Sequence, residues 1–398
     1  MKLSERIIDY NNIVKPNAYQ KVVAFIFFFF FTAPILSPYI KGITIYLYWF
    51  IPFLDLYYIK DLFNKGYNRI AILVIVLFSI ILITTKNYIT LFKVLAILNT
   101  LVYMFYVKKN KLIHYLYTFM FFNIILCMIQ FCLVYLDNNL AYYFGPTYIS
   151  KMVWGKYATE TNTNFYTIFL FPRVCGLSRE AGFFASLLGI TYITFLYDKD
   201  EKITLFKQCI FFIGFILSLS KASFLIIAII IILRFRKIID KIHLFIGVPI
   251  YILVCCLISN IYFLPQYYEV GSESIIHRIS GYTIMSKLPL TEMFFGVQNV
   301  KDLSVFSSYS FLNQIVKYGQ FTGVPNIIIH KGLVIFILFV ILLYLNKITF
   351  SGFLLITLMT FTTDYFTCTS FSVLAYFFVF MYSTIDGNKR LKNNNNGE

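Results

Sequence analysis

The 398-residue chain predicts an all-α fold: a polytopic membrane helix bundle of about twelve transmembrane helices, with two long external loops. Three observations predict it. Hydrophobic residues make up 59% of the chain and charged residues only 13%, against roughly 25% charged in a typical soluble domain. Apolar runs recur along the whole length, each near the roughly 20 residues that a helix needs to cross hydrocarbon. The basic residues fall in short clusters between those runs, on alternate sides of the expected bilayer.

The elements follow in order. Met1 to Gln20 is polar and carries Lys2, Arg6 and Lys15. No small-residue cleavage site follows the first apolar run, which is therefore expected to remain in the mature protein. Spans are expected at about 22–40, 42–59, 70–85, 88–107, 112–135, 181–197, 205–220, 221–235, 242–264, 332–346, 348–363 and 366–384. Asp55, Lys93 and Lys207 lie inside or at the edge of the second, fourth and seventh, and the eighth is short.

With the N-terminus in the cytoplasm, every connection after an even-numbered span carries positive charge. These are Lys60, Lys65 and Arg69; Lys108, Lys109 and Lys111; Lys199 and Lys202; Arg234, Arg236, Lys237 and Lys241; Lys347; and Lys389, Arg390 and Lys392. Outer turns hold less, with Lys41, Lys86 and Lys221 as exceptions, so both termini are expected on the cytoplasmic side. The whole chain, 1–398, is then one integral membrane domain. Two connections, 136–180 and 265–331, are too long to be turns and both fall outside. Within the second, Ile275, Ile276, Ile279 and Ile284 recur at helical spacing and predict an amphipathic helix over Glu273 to Leu290. The tail 385–398, with its run Asn393 to Asn396, is expected to be a disordered cytoplasmic segment.

Composition excludes other classes. The net charge of +16 is distributed as topology signals and not as one basic face, so no nucleic acid is expected. Six of the seven cysteines lie in or beside spans, Cys175 alone sits in a long loop, and no CxxC pair occurs. His114, His243, His277 and His330 are scattered without metal-ligand spacing, so neither metal nor cofactor is expected. GxGxxG, P-loop, HExxH and GxSxG motifs are absent, as are the paired broken helices of inverted-repeat transporters.

Chemistry is expected where charge meets the membrane. Arg173, Arg179 and Glu180 stand directly before the apolar run Phe183 to Tyr197; Lys221 lies at an almost loopless turn; Arg278 lies in the second outer loop. Charged groups near a bilayer cost several kcal/mol, in round terms, unless solvated, paired or holding an anion. Several cations from different segments suit a phosphate-bearing lipid, and arginine can grip phosphate bidentately. Snorkelling into headgroups is the alternative for Lys221. Among the outer acids Asp137, Glu160, Glu180, Glu269, Glu273, Glu292, Asp302 and Asp364, Glu180 is the best-placed base, although a first-turn carboxylate also suits the helix dipole. Loop aromatics such as Tyr142, Tyr143, Phe144, Tyr148, Trp154, Tyr157 and Tyr166 suit sugar stacking or interface anchoring.

Taken together, residues 165 to 350 resemble the Wzy-type polysaccharide polymerases and related O-antigen ligases. Arg173-Val174-Cys175-Gly176 with Glu180 is similar to that family's Arg-x-x-Gly segment. Leu217 to Ser223 resembles its Ser followed by Arg or Lys. Arg278, Pro289-Leu290 and Gly296 resemble an outer-loop Arg preceding Pro-Leu-x-Gly, with the Gly displaced, and Gly332-Leu333-Val334 resembles the opening of the next span. The loop histidine carried by the ligases and many of the polymerases has no counterpart in Ser307 to Asn313, and His330 lies too close to Gly332 to supply it.

The resemblance implies glycosyl transfer at the outer face of the cytoplasmic membrane, polymerising undecaprenyl-pyrophosphate-linked oligosaccharide repeat units into O-antigen, capsule or exopolysaccharide. A ligase is the nearest alternative, and a lipid-linked oligosaccharide flippase the alternative of another class. Arg173, Lys221 and Arg278 are then expected to stabilise the leaving pyrophosphate, and Glu180 to act as base or to orient an arginine. Arg179, Gly176 and Trp154 are expected to bind substrate. Membrane lipid, a chain-length regulator and a flippase are the partners it implies.

Overall fold

Backbone groups in hydrocarbon must be satisfied within the chain, so apolar runs of this kind fold as helices. The computed structural model describes residues 16–40, 43–64, 69–84, 88–159, 166–168, 171–262, 273–297, 321–361 and 363–382. Its helices are α1 (Ala18–Thr32), α2 (Leu56–Asn64), α3 (Arg69–Thr84), α4 (Tyr88–Lys109), α5 (His114–Leu136), α6 (Asn138–Tyr143), α7 (Pro146–Trp154), α8 (Ala181–Tyr197) and α9 (Leu205–Ser218). They continue as α10 (Leu225–Ile239), α11 (Leu244–Tyr262), α12 (Glu273–Met285), α13 (Leu290–Phe295), α14 (Gly323–Lys331), α15 (Leu333–Leu345), α16 (Phe350–Met359) and α17 (Ser370–Tyr382). Two small antiparallel hairpins join them, β1 (Tyr39–Ile40) with β2 (Ile43–Thr44), and β3 (Tyr166–Ile168) with β4 (Phe171–Arg173).

Three helices, α4, α5 and α11, are long and apolar enough to cross a membrane. Seven more are apolar but shorter: α1, the body of α3, α8, α9, α15, α16 and α17. The chain is thus a mostly helical protein of membrane character.

The expected continuous span at 42–59 is not a continuous helix. It consists of β2, the 3-10 turns Leu47–Trp49 and Ile51–Leu54, and the start of α2. Pro52 removes a donor, and the Asp55 side chain captures the backbone N–H groups of Tyr57 and Tyr58 at 3.1 and 3.0 Å, restarting the chain as α2. Part of this broken segment is covered by protein: Tyr48, Trp49, Ile51, Pro52 and Asp55 are buried, while Phe50, Phe53 and Leu54 are exposed. The Tyr48 hydroxyl and Trp49 indole both donate to the Cys368 carbonyl, at 2.7 and 3.1 Å, and Asn99 Nδ2 donates to the Trp49 carbonyl at 3.3 Å. Irregular backbone beside apolar helices is tolerated when protein covers it in this way.

The centre of the bundle is the last helix. Every residue of α17 from Ser370 to Val379 is buried, and it packs against α4, α8 and α16. An all-round apolar helix belongs in such a position. Next to it, α8 packs against α5, α9, α10 and α17.

The two ends of the bundle differ. At one end Lys108, buried, pairs with Asp198 and, at 2.7 Å, with Asp200, while Tyr117 donates to Asp198 at 2.8 Å. Arg236 there pairs with Asp240 at 3.3 Å, and Asp240 accepts the Ser351 N–H at 3.1 Å. The other end carries α6, α7, both hairpins, α12, α13, α14 and the 360–369 connection; it is called the loop end below. From the first long connection, Ile149 and Leu177 fold onto it in a small satellite core with Ala33, Ile35, Leu36 and Leu126. The helix expected over Glu273 to Leu290 is α12; it is buried from Ser280 to Met285, packed between α11 and α14, with Ser259 Oγ donating to the Ile279 carbonyl at 2.8 Å. The N-terminal residues 1–15, the stretch Ser307 to Asn313 and the tail 385–398 lie outside the described residues.

Candidate functional site

The Arg173–Glu180 segment is positioned by two amide side chains. Asn123 and Gln130, both buried, stand seven residues apart on α5, which is two turns and therefore one face. Gln130 Oε1 accepts the Gly176 N–H at 2.9 Å, and Gln130 Nε2 donates to the carbonyls of Gly176 and Phe144 at 3.1 and 2.8 Å. Asn123 Oδ1 accepts the Leu177 N–H at 3.0 Å, while Asn123 Nδ2 donates to the Thr32 carbonyl at 2.8 Å. Gly176 adopts φ +57°, and a Cβ there would lie 3.1 Å from Asn123 oxygens and 3.2 Å from Cys127 Sγ. Left-handed backbone pressed onto another helix leaves room for glycine alone. The structure accounts for Gly176 as the anchor of this segment, deep beneath the charges.

The clamp sets the charges around the start of α8. Arg173 ends β4, and the next residue, Val174, donates its N–H to the Leu217 carbonyl at the end of α9, at 3.3 Å. A Cβ on Gly182, in the first turn of α8, would lie 3.8 Å from Arg173 Nη2 and 3.9 Å from Ser220 Oγ. Arg173 Nη2 and Ser220 Oγ, on the residue before Lys221, therefore both face the first turn of α8. Lys221 opens the 3-10 turn Lys221–Phe224; its side chain is outside the described part of the structure. Glu180 is the N-cap residue of α8 in extended conformation, but its exposed carboxylate makes no capping hydrogen bond. Below these charges burial pushes the Cys175 thiol up to about 12, with Arg173 opposing and Glu180 adding to the shift. It stays protonated and unreactive.

Arg179 lies 5.9 Å over the Tyr39 ring and lines a small cleft with Tyr46, Ser178, Phe183 and the Thr369–Phe371 stretch. The Nε atoms of both Arg173 and Arg179 are buried without a hydrogen-bond partner. Buried polar groups are ordinarily satisfied, so two such donors at one loop end are suited to an anionic ligand. Arg278, on α12, sits 5.3 Å over the Phe361 ring, and burial pulls its pKa below the ordinary guanidinium value. Trp154 ends α7 and donates its indole N–H to the Leu36 carbonyl at 3.0 Å. That contact makes it an anchor between the first loop and the turn after α1.

A feature the sequence reading passed over links these parts. The 360–371 connection carries Phe361 under Arg278, Asp364, Cys368 under Tyr48 and Trp49, and the Thr369–Phe371 wall of the Arg179 cleft. Asp364 accepts the Phe366 N–H at 3.0 Å, is hydrogen-bonded by Asn326, and feels the charges of Lys93 on α4 and Lys331 at the end of α14. Burial raises its pKa above the usual carboxylate range against all four of those influences. Lys331 is lowered by burial and by the Lys93 charge, with Asp364 opposing. The positions of Lys331 and Arg278 depend on α13 and α14: Gly332 has φ +88°, and a Cβ there would run into the Phe294 carbonyl. The signal in the sequence was Lys93 inside an apolar span and Asp364 between two others, each of which reads as a topology irregularity when taken alone. Among the described residues no three His, Cys, Asp or Glu side chains gather as a metal site.

In comparisons with known protein families, curated proteins and solved structures, nothing matches this chain.

Proposed function

We propose that the chain is a membrane glycosyltransferase that polymerises undecaprenyl-pyrophosphate-linked oligosaccharide repeat units. In this reading the bundle crosses the cytoplasmic membrane of a bacterium about twelve times, counting the broken 42–59 segment, with both termini in the cytoplasm. The loop end then faces outward. A sugar hydroxyl of one lipid-linked unit attacks the anomeric carbon of another chain, and undecaprenyl pyrophosphate leaves with the bonding electron pair. Negative charge grows on the leaving oxygen. Preorganised donors aimed at that charge stabilise the transition state, and a water-poor site strengthens them.

The observation that carries the reading is the pair of buried, unpartnered Nε donors on Arg173 and Arg179, on one segment next to Ser220. Snorkelling explains an exposed cation at a headgroup; it does not explain a buried guanidinium donor left empty. Arg173 and Lys221, one residue beyond Ser220, form the core of the donor-pyrophosphate site in this reading, with Arg179 beside them. Arg278 approaches from the second loop, over the same 360–371 connection that walls the Arg179 cleft.

The test is chain extension by the purified protein in proteoliposomes supplied with lipid-linked repeat units, read as a product ladder. Arg173→Ala should abolish the ladder while the protein remains inserted. Sugar transferred only to a lipid A-core acceptor would make the protein a ligase, and movement of the lipid-linked unit across the bilayer without joining would make it a flippase.

A further inference from the structure

We propose that Asp364, and not Glu180, accepts the proton of the attacking sugar hydroxyl, and that Lys93 and Lys331 are positioning residues that hold its carboxylate ready. This inference rests on the glycosyl-transfer reading above. In the step, the hydroxyl oxygen bonds to the anomeric carbon, the bond from that carbon to the pyrophosphate oxygen breaks, and the hydroxyl proton passes to an Asp364 carboxylate oxygen. Pyrophosphate keeps the bonding pair, and the proton leaves Asp364 to solvent before the next turnover.

Location favours Asp364. It stands on the connection that joins the two cation groups, three residues from Phe361 under Arg278 and five from Thr369 in the Arg179 cleft. It is part-exposed and so within reach of a substrate. Glu180, by contrast, projects exposed from the N-terminus of α8 and has no described partner to orient it. A carboxylate held by donors on fixed elements is better placed for proton transfer than one with nothing described to orient it.

The surroundings of Asp364 are also built. One oxygen is fixed by the Phe366 N–H, and Asn326 hydrogen-bonds the carboxyl from α14. Lys93 faces it from α4 and Lys331 from α14, while the Tyr376 hydroxyl on α17 lies near enough to feel its charge. Two ammonium groups near one carboxylate favour its ionised form against the burial that opposes it. Burial is the main cause of the lowered Lys331, with Asp364 opposing it and the Lys93 charge adding to it. Removing either lysine should make the carboxyl harder to ionise.

The experiment measures chain-extension rate against pH in proteoliposomes for the wild type, Asp364→Asn, Lys331→Gln, Lys93→Gln and Glu180→Gln. Each variant is first checked for insertion and a monodisperse gel-filtration peak. A general base contributes roughly 10²- to 10⁴-fold, so Asp364→Asn should lose at least about 100-fold in kcat. Lys331→Gln and Lys93→Gln should retain activity at high pH and move the acid limb of the profile to higher pH. Glu180→Gln should keep the wild-type acid limb. If Asp364→Asn proves unstable, the displaced limb in the lysine variants still reports the group, and an unmoved limb in both overturns the proposal. Wild-type activity with an active Asp364→Asn would overturn the base and leave the glycosyl-transfer reading standing. A wild type that extends no lipid-linked chain would overturn both.

Discussion

Replacing Gln130 by leucine tests the clamp that places the candidate site. The side chain makes three hydrogen bonds, one from the Gly176 N–H at 2.9 Å and two to the Gly176 and Phe144 carbonyls at 3.1 and 2.8 Å. Leucine has similar volume and can serve none of them. Phe144 is exposed at the loop end, where water can take over its carbonyl. Gly176 is buried between Asn123 and Cys127, so its N–H and C=O would both be orphaned. Each buried unsatisfied group costs about 1–3 kcal/mol, giving about 2–6 kcal/mol in total. A typical domain has about 5–15 kcal/mol of stability. The cost is local, so the expected result is release of the segment with the bundle intact. Cys175 is a built-in reporter, being 1% exposed and one residue from Gly176. In a background lacking the exposed Cys132 and Cys209, maleimide labelling of the Cys175 peptide should be negligible in the wild type and rise at least tenfold in Gln130→Leu. Unchanged labelling together with an unchanged melting temperature would refute the clamp.

Arg173→Ala, Lys221→Ala and Arg278→Ala should each cut chain extension sharply in proteoliposomes. Lysine at Arg173 or Arg278 should restore only part, because a point charge lacks the bidentate fork. At the opposite end, Lys108→Met should lower thermal stability in detergent by about 3–5 kcal/mol, since it strands the buried Asp198 without its cation. Asp364→Asn should raise the melting temperature at neutral pH. A carboxyl with a raised folded-state pKa penalises folding once the unfolded chain ionises, so the gain should appear as pH climbs above about 4 and vanish below it. A loss of stability on that substitution would indicate a structural ion pair.

Apolar runs and helix ends were legible in the sequence because both follow from short-range rules. The runs at 88–107, 112–135 and 181–197 reappear as α4, α5 and α8, with ends shifted by at most two residues. The 42–59 run misled because hydropathy averages over Pro52 and Asp55, whereas backbone geometry responds to each. Arg173, Arg179 and Arg278 stood out because charge against a membrane is costly wherever it lies. Asn123 and Gln130 did not, since an amide in a span adds little to a hydropathy sum; only their seven-residue spacing on one helix face marks them as a pair. Pairing across long separations was out of reach altogether. Nothing local connects Lys93 to Asp364, 271 positions away, until α4 and the 360–371 connection are packed together.

The two ends of the bundle treat buried charge in opposite ways. At one end each buried cation has a carboxylate at contact distance: Lys108 joins α4 to Asp198 and Asp200 after α8, and Arg236 meets Asp240 at the end of its own helix, α10. The closed Lys108 pair fixes the register of neighbouring helices, because removing one partner strands the other. At the loop end two buried arginine Nε donors, on Arg173 and Arg179, lack hydrogen-bond partners. Two lysines there share one carboxylate whose pKa is already raised. A fold selected for stability alone would close those sites as it closes the others. The asymmetry within a single chain is the argument for an anion at the loop end, since the same sequence demonstrates that it can neutralise buried cations elsewhere.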